Sequence, residues 1–388
     1  MKSLVLIQSN TIFKTFKYFT KGQLNFLKEK GLSVHTICSP DTEAAYFFSE
    51  EGVTYKPIQI ERDISTFKDI SATFKIISYI FKTKPTIVQG STPKAGFLTL
   101  IGAWICKVPV RVFFMRGVRS SGLTGIKHKI VEFMEKTTCR CAHQVLCTSN
   151  SVLNEIVEKG ICSPNKAKVL HYGTGNGIDT DNRFNPARFA DSDKNNLKKE
   201  YGINKNNKIL LFVGRLVKDK GLIELYHAWQ LLKEDFSDLT LLLIGYEEKI
   251  DPLPKEIALG LKNDNNVRVL TSIQDCAPFY AISDIFILPS YREGIPVSAL
   301  EASSMELPVI TTRATGCIDA IIDNVTGKLV DAKDYNDLKE KITSYLIDSE
   351  SAVQHGKNGR TFIKERYKPE DIWNALYNEY LRLYNAIK

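Results

Sequence analysis

The feature that most limits what this chain can fold into is an alternation. Short runs rich in β-branched and aromatic residues recur along its whole length, separated by longer segments with apolar residues at helical spacing. Strand and helix repeated in this way build βαβ units, with parallel strands and helices covering the sheet faces. The predicted strands of the first half are residues 4–8, 33–38, 86–89, 110–114, 144–148 and 168–172. Helical patterns lie between them, as in residues 67–81, where Phe67, Ile70, Phe74, Ile77, Ile80 and Phe81 recur near a 3.6 period. From Gly173 to Lys208 the alternation lapses into GTGNGIDTDNRFNP and a charged stretch, which reads as a domain junction. A second series follows, with strands predicted at 209–213, 240–244, 267–270, 285–288, 309–312 and 328–330, and helical segments near 333–348 and 370–387. A chain of 388 residues has room for two such domains. The expectation is two doubly wound α/β domains, spanning 1–175 and 176–369, with ligands bound beyond the carboxyl ends of the strands and the active site in a cleft between domains.

Composition excludes several other classes. With 43% hydrophobic and 25% charged residues, the chain is not a disordered one. Its longest strongly apolar run, residues 97–106, is about half the ~20 residues a membrane-spanning helix needs. The apolar run near the N-terminus covers only Leu4 to Ile7, too short for a signal peptide, so the protein is expected to stay in the cytoplasm. Eight scattered cysteines read as reduced, buried thiols; Cys139, Cys141 and Cys147 with His143 lack paired metal-site spacing, and no metal is expected.

Charge is unevenly spread. Residues 1–180 carry 24 Lys and Arg against 13 Asp and Glu, whereas the remainder carries 28 against 31. A basic half attracts nucleic acid, anionic lipid or a phosphorylated substrate. No Cys/His finger or RNA-binding aromatic signature is present, so nucleic acid is not an expected partner. Amphipathic helices and clusters such as Lys14, Lys17, Lys21 and Lys82, Lys84 suit a peripheral encounter with an anionic membrane face.

Two local motifs carry chemistry. In FVGRLVKDKG, residues 212–221, an apolar strand runs into Gly214 and Arg215, and Lys220-Gly221 opens an amphipathic helix. Two permanent cations at one strand-to-helix turn, beside a helix N-terminus, make a diphosphate clamp. In PSYREGIPVSALEA, residues 289–302, a strand ends in a loop with Glu293-Gly294, and Glu301 follows eight residues later on a helix. Glu293 can accept hydrogen bonds from sugar hydroxyls. Glu301 sits among apolar and small residues, where a buried acid needs partners.

Taken together, GR-x4-KG, E-x7-E and the GNGID junction at 175–179 resemble the retaining glycosyltransferases of family 4. The resemblance spans essentially the whole chain and is strongest from 173 to 330. It implies a GT-B fold, two Rossmann-like domains facing across a cleft, with the first on the acceptor side, the second binding the donor, and a C-terminal helix, 370–388, crossing back onto the first. It implies that Arg215 and Lys220 contact the donor diphosphate, that Glu293 faces the donor sugar, and that Glu301 binds the ribose. Gly214, backbone groups of Gly294, Ile295, Pro296 and Val297, and the strand end at Leu270 to Ser272 would complete the donor site. Glycosyl transfer needs the charge of the leaving diphosphate neutralised by a metal or by fixed cations. With Arg215 and Lys220 present and no D-x-D-like acidic pair at a strand end, a metal-independent reaction is expected.

The chain departs from that pattern in two places. The loop after the first strand, QSNTIFKTFKYFTKG, lacks the Gly-Gly pair of many relatives. Where many carry a histidine or acid, this chain has Arg116 followed by Gly117. A guanidinium cannot act as a general base, so Arg116 is expected to bind an acceptor phosphate or the donor, leaving proton removal to the departing phosphate. Lys94, in STPKAG at a strand's carboxyl end, is a further candidate contact. The expected reaction is retaining transfer of a hexose or N-acetylhexosamine from a nucleotide sugar, UDP-linked, to a growing cell-surface glycan on a polyprenyl-diphosphate carrier, at the inner face of the cytoplasmic membrane. The alternatives are a nucleotide-sugar 2-epimerase and a non-catalytic partner subunit.

Overall fold

The computed structural model describes residues 4–63, 65–248 and 251–387; residue 388 of the expected terminal helix lies outside them. The chain divides into two compact units, Met1–Gly177 with Pro369–Lys388, and Ile178–Lys368.

Unit 1 is a seven-stranded sheet of β1 (Val5–Ser9), β2 (Ser33–Cys38), β3 (Thr54–Pro57), β4 (Ile87–Ser91), β5 (Val110–Met115), β6 (Gln144–Cys147) and β7 (Ala167–Val169), ordered β3-β2-β1-β4-β5-β6-β7. Every neighbouring pair is parallel. Because strand side chains alternate, successive residues feed opposite cores. Ile7, Phe113 and Val145 pack under one helix layer with Ile76 and Ile80. Leu6, Phe114 and Leu146 pack under the other with Phe16, Leu24 and Phe48. The helix Pro369–Asn385 belongs to this second layer, contributing Leu376 and Tyr380 to its core. The Tyr380 hydroxyl donates to Gln89 Oε1 at 2.7 Å, and Trp373 Nε1 donates to Asn176 Oδ1 at 2.8 Å.

Unit 2 is a six-stranded parallel sheet of β8 (Lys208–Val213), β9 (Leu239–Ile244), β10 (Val267–Leu270), β11 (Ile285–Leu288), β12 (Val309–Thr312) and β13 (Gly327–Val330), ordered β10-β9-β8-β11-β12-β13. β9, LTLLLI, is buried at every position, as a strand covered on both faces must be. In each sheet the order reverses beside the first strand, between β1 and β4 and between β8 and β11. Neighbouring loops there diverge to opposite faces and leave a crevice at the carboxyl edge.

Three elements differ from expectation. β3, TYKP, has no alternating apolar face, and its residues are mostly exposed. The helix Ser349–Arg366 is polar and contains two glycines, so its periodicity is weak. The helix Thr66–Thr83 forms, but its inward face is Ala72, Ile76 and Ile80, while Phe67, Ile70, Phe74 and Phe81 are exposed. No helix among the described residues is long and apolar enough to cross a membrane.

Candidate functional site

The crevice of unit 2 collects the motif residues. Gly214 follows β8, and a Cβ on its neighbour Gly245 would come within 1.7 Å of the Gly214 carbonyl, so backbone approaches backbone where only glycine fits. Lys218–Lys220 form a single tight turn, and Gly221 then adopts φ 73° to start the helix Leu222–Asp235. This turn locks onto the loop after β11. Tyr291 N and Ser290 Oγ both donate to the Asp219 carbonyl, at 2.9 and 3.1 Å, and the Tyr291 hydroxyl donates to the Glu224 carboxylate at 2.7 Å.

Six charged side chains converge across that lock. Lys220 Nζ and Glu293 Oε1 form an ion pair, both largely buried. Arg215 Nη1 donates to Glu248 at 2.8 Å, and its Nη2 lies 3.6 Å from Asp219, which also receives Arg292 at 3.0 Å. Burial works against the Arg215 charge, but Asp219, Glu248 and Glu293 more than offset it and hold the guanidinium firmly protonated. Glu293 is fixed by its backbone N–H, which donates to Thr315 O at 2.8 Å. Gly316 crosses so closely that a Cβ there would stand 2.4 Å from the Glu293 carbonyl.

Gly294, Ile295 and Pro296 lead into the helix Val297–Ser304, whose cap, Pro296, supplies no side-chain acceptor. Glu301 lies one turn inside. It accepts from the Tyr280 hydroxyl at 2.9 Å. Burial pushes its carboxyl up to about 7, although Arg183 and the Tyr280 hydrogen bond draw it down. Leu270 ends β10 at the far side of the sheet, and Ser272 is exposed just beyond it. An apolar cavity walled by Leu216, Leu243, Leu261 and Val269 opens beside Glu248.

The carboxyl edge of unit 1 holds a different arrangement. Arg116 follows β5, its guanidinium carbon 5.1 Å from the Phe19 ring centre and 4.9 Å from that of Phe114. Stacking of this kind stabilises a cation, but burial lowers its pKa to about 10, still well charged at neutral pH. Its Nε is buried with no hydrogen-bond partner among the described residues, and so are Asn10 Oδ1 after β1 and Thr148 Oγ1 after β6. Gly117 turns the chain away with φ 124°. Lys94 is engaged elsewhere: its ammonium pairs with Asp69 at 2.7 Å and donates to the Asp63 carbonyl.

Motif reading found Arg215, Lys220 and Glu293, which the fold brings together, but missed Asp219, Glu248, Thr315, Gly316, Arg183 and Tyr280. Among the described residues no three His, Cys, Asp or Glu side chains converge as a metal cluster.

Paired Rossmann-like units with cations and an acid at the switch point of the second define a GT-B glycosyltransferase. Residues 20–173 match the family model of the glycosyl transferase 4-like domain, and residues 193–362 match that of the glycosyl transferases group 1. The chain belongs to this glycosyltransferase family. It is 31% identical over 98% of its length to the capsular polysaccharide biosynthesis glycosyltransferase CapM of Staphylococcus aureus, covering 99% of that protein. It is 27% identical, over 77% of each chain, to the N,N'-diacetylbacillosaminyl-diphospho-undecaprenol α-1,3-N-acetylgalactosaminyltransferase of Campylobacter jejuni. Its fold matches Anabaena HepE, solved in complex with UDP and glucose, with a TM-score of 0.81 at 16% identity over 97% of this chain and 99% of that one.

Proposed function

We propose that the protein is a retaining, metal-independent glycosyltransferase that moves a hexose or N-acetylhexosamine from a UDP-sugar onto a lipid-carried cell-surface glycan. The observation that carries this reading is the convergence of Arg215, Lys220 and Glu293 at the unit 2 switch point. Unit 2 takes the donor. The diphosphate binds Arg215 and Lys220, replacing carboxylates that neutralise them in the free protein. Gly214 lets it approach the backbone, and backbone groups from Gly294 to Val297 meet its sugar and phosphates. Glu293, released from Lys220, accepts from sugar hydroxyls; Glu301 accepts from the ribose, and the base lies towards Leu270 and Ser272.

The anomeric C–O bond breaks with its electron pair passing to the β-phosphate oxygen. Arg215 and Lys220 stabilise that charge through fixed N–H donors. The acceptor hydroxyl attacks from the same face and gives its proton to the leaving phosphate. Unit 1 takes the acceptor, with Arg116 and the turn at Gly117 holding an acceptor phosphate. A buried guanidinium without a carboxylate is costly unless a ligand pairs with it. Lys94, held by Asp69, has no part in this scheme. Likeness to CapM and to the Campylobacter enzyme supports a capsule-type glycan on a polyprenyl diphosphate, and the basic residues of unit 1 suit the anionic inner membrane face where such a carrier resides.

The test is a thermal-shift screen against UDP, GDP, ADP and their sugar conjugates, followed by turnover of Glu293→Ala. UDP and one UDP-sugar should raise the melting temperature. The variant should keep that response and lose at least about a hundredfold in turnover. No response to any nucleotide, or undiminished turnover, would overturn the reading.

A further inference from the structure

The helix Thr66–Thr83 buries one face and exposes another that is just as apolar. Phe67, Phe74 and Phe81 are 89%, 67% and 74% exposed, and with Ile70 their spacing sets them in one line along the helix. The helix Gly125–Cys141 repeats the device with Ile126, 75% exposed, and with Ile130 and Phe133. The helix Pro93–Ile105 packs against both and ends in exposed Trp104. Single exposed apolar residues are ordinary on a protein surface, but aligned stripes on a shared helix layer mark a binding face.

Charge selects the occupant. Lys75 and Lys82 flank the first stripe, beside Lys68, which pairs with Glu61 at 2.9 Å, and Lys127 and Lys129 flank the second. The acids of the three helices are all engaged: Asp69 pairs with Lys94, Glu132 pairs with Lys136, and Glu135 is buried, accepting from Arg119 N and Ser120 Oγ. A second copy of the chain would bring two lysine rims together. An anionic bilayer offers an apolar interior beneath a negative surface, and lysine stems can lie along it with their ammonium groups in the headgroups.

We infer that this three-helix face of unit 1 inserts its aromatic side chains into an anionic lipid bilayer, with the lysine rim seated in the headgroups. The inference rests on the proposed lipid-carried acceptor for its purpose only. Insertion differs from attraction by charge alone, because its apolar part survives salt.

The test is flotation of the full chain with phosphatidylethanolamine–phosphatidylglycerol vesicles at low and high salt, with phosphatidylcholine vesicles as reference. Binding should be tighter to the anionic vesicles than to the phosphatidylcholine ones, weaken in salt and not vanish. Phe67→Ser with Phe74→Ser should lower the affinity about tenfold or more at both salts. Lys75→Gln with Lys82→Gln should remove only the salt-sensitive part. As a check that needs no loss of packing, Phe74→Trp in a Trp104→Phe background should be quenched by brominated lipid. Absence of binding, an unquenched tryptophan at that position in the bound protein, or a solution dimer dispersed by the paired serine variant would each overturn the inference. UDP stabilisation of the same proteins without vesicles separates the two claims. A chain that ignores nucleotides yet docks by this face refutes the glycosyl-transfer reading alone; one that binds UDP but not vesicles refutes the membrane face alone.

Discussion

Glu301 is an acid whose environment sets when it can act. Removal from water raises its carboxyl to about 7, against the pull of Arg183 and the Tyr280 hydroxyl. A ribose hydroxyl donates best to the ionised form, so donor affinity should rise with pH through that value. Between pH 6 and 8 the ionised fraction grows about tenfold. UDP dissociation constants measured by calorimetry should therefore tighten by up to about tenfold for the native chain relative to Glu301→Gln, a comparison that cancels the nucleotide's own titration. An equal pH slope in both would remove Glu301 from the ribose. Stability in the free protein runs the other way. The folded pKa is raised, so the contribution of the neutral acid is fully present below its ordinary value of 4.5 and is lost as pH rises towards 7. The motif residues were legible because each lies in a short contiguous stretch with a distinctive residue order. Their partners were not: Glu248 reaches Arg215 from the loop after β9, and Thr315 reaches Glu293 from beyond β12. Such pairs exist only once the sheet sets strand order.

At the level of elements, the two turns of the unit 2 crevice act as one piece. Gly221 has φ 73°, and a Cβ there would sit 1.9 Å from the Pro289 carbonyl. Gly221→Ala should cost at least ~1–3 kcal/mol of stability from backbone strain alone, with the clash added. It should also shift Lys220 from Glu293 and weaken nucleotide binding. Denaturant titration with and without UDP checks both; an unchanged midpoint would mean the turn tolerates a side chain. The strands were readable because a parallel sheet covered on both faces demands unbroken apolar runs, as in β8 and β9. β3 escaped because an edge strand has no such demand. The helix Thr66–Thr83 is more instructive. Its 3.6-residue period announced a helix correctly, but period cannot say which apolar stripe meets the core, and Phe67, Phe74 and Phe81 turned outward.

The whole molecule is two parallel sheets on one thread, with unit 1 assembled from both ends of the described chain. Leu376 and Tyr380 fill a core otherwise made by residues before 150. Truncation after residue 368 should leave unit 2 folded and deprive unit 1 of cooperative unfolding, visible as one lost transition in calorimetry. Two intact transitions would show the helix to be dispensable.

The same thread sets an order in time. A ribosome adding about 5 to 20 residues per second needs roughly 10 to 40 s to make unit 2. Throughout that interval the seat of Tyr380 beside Gln8 and Gln89 stays open to water. Unit 2 can therefore be a finished body while unit 1, begun first, still waits for its closing helix. The second-made unit would then mature first.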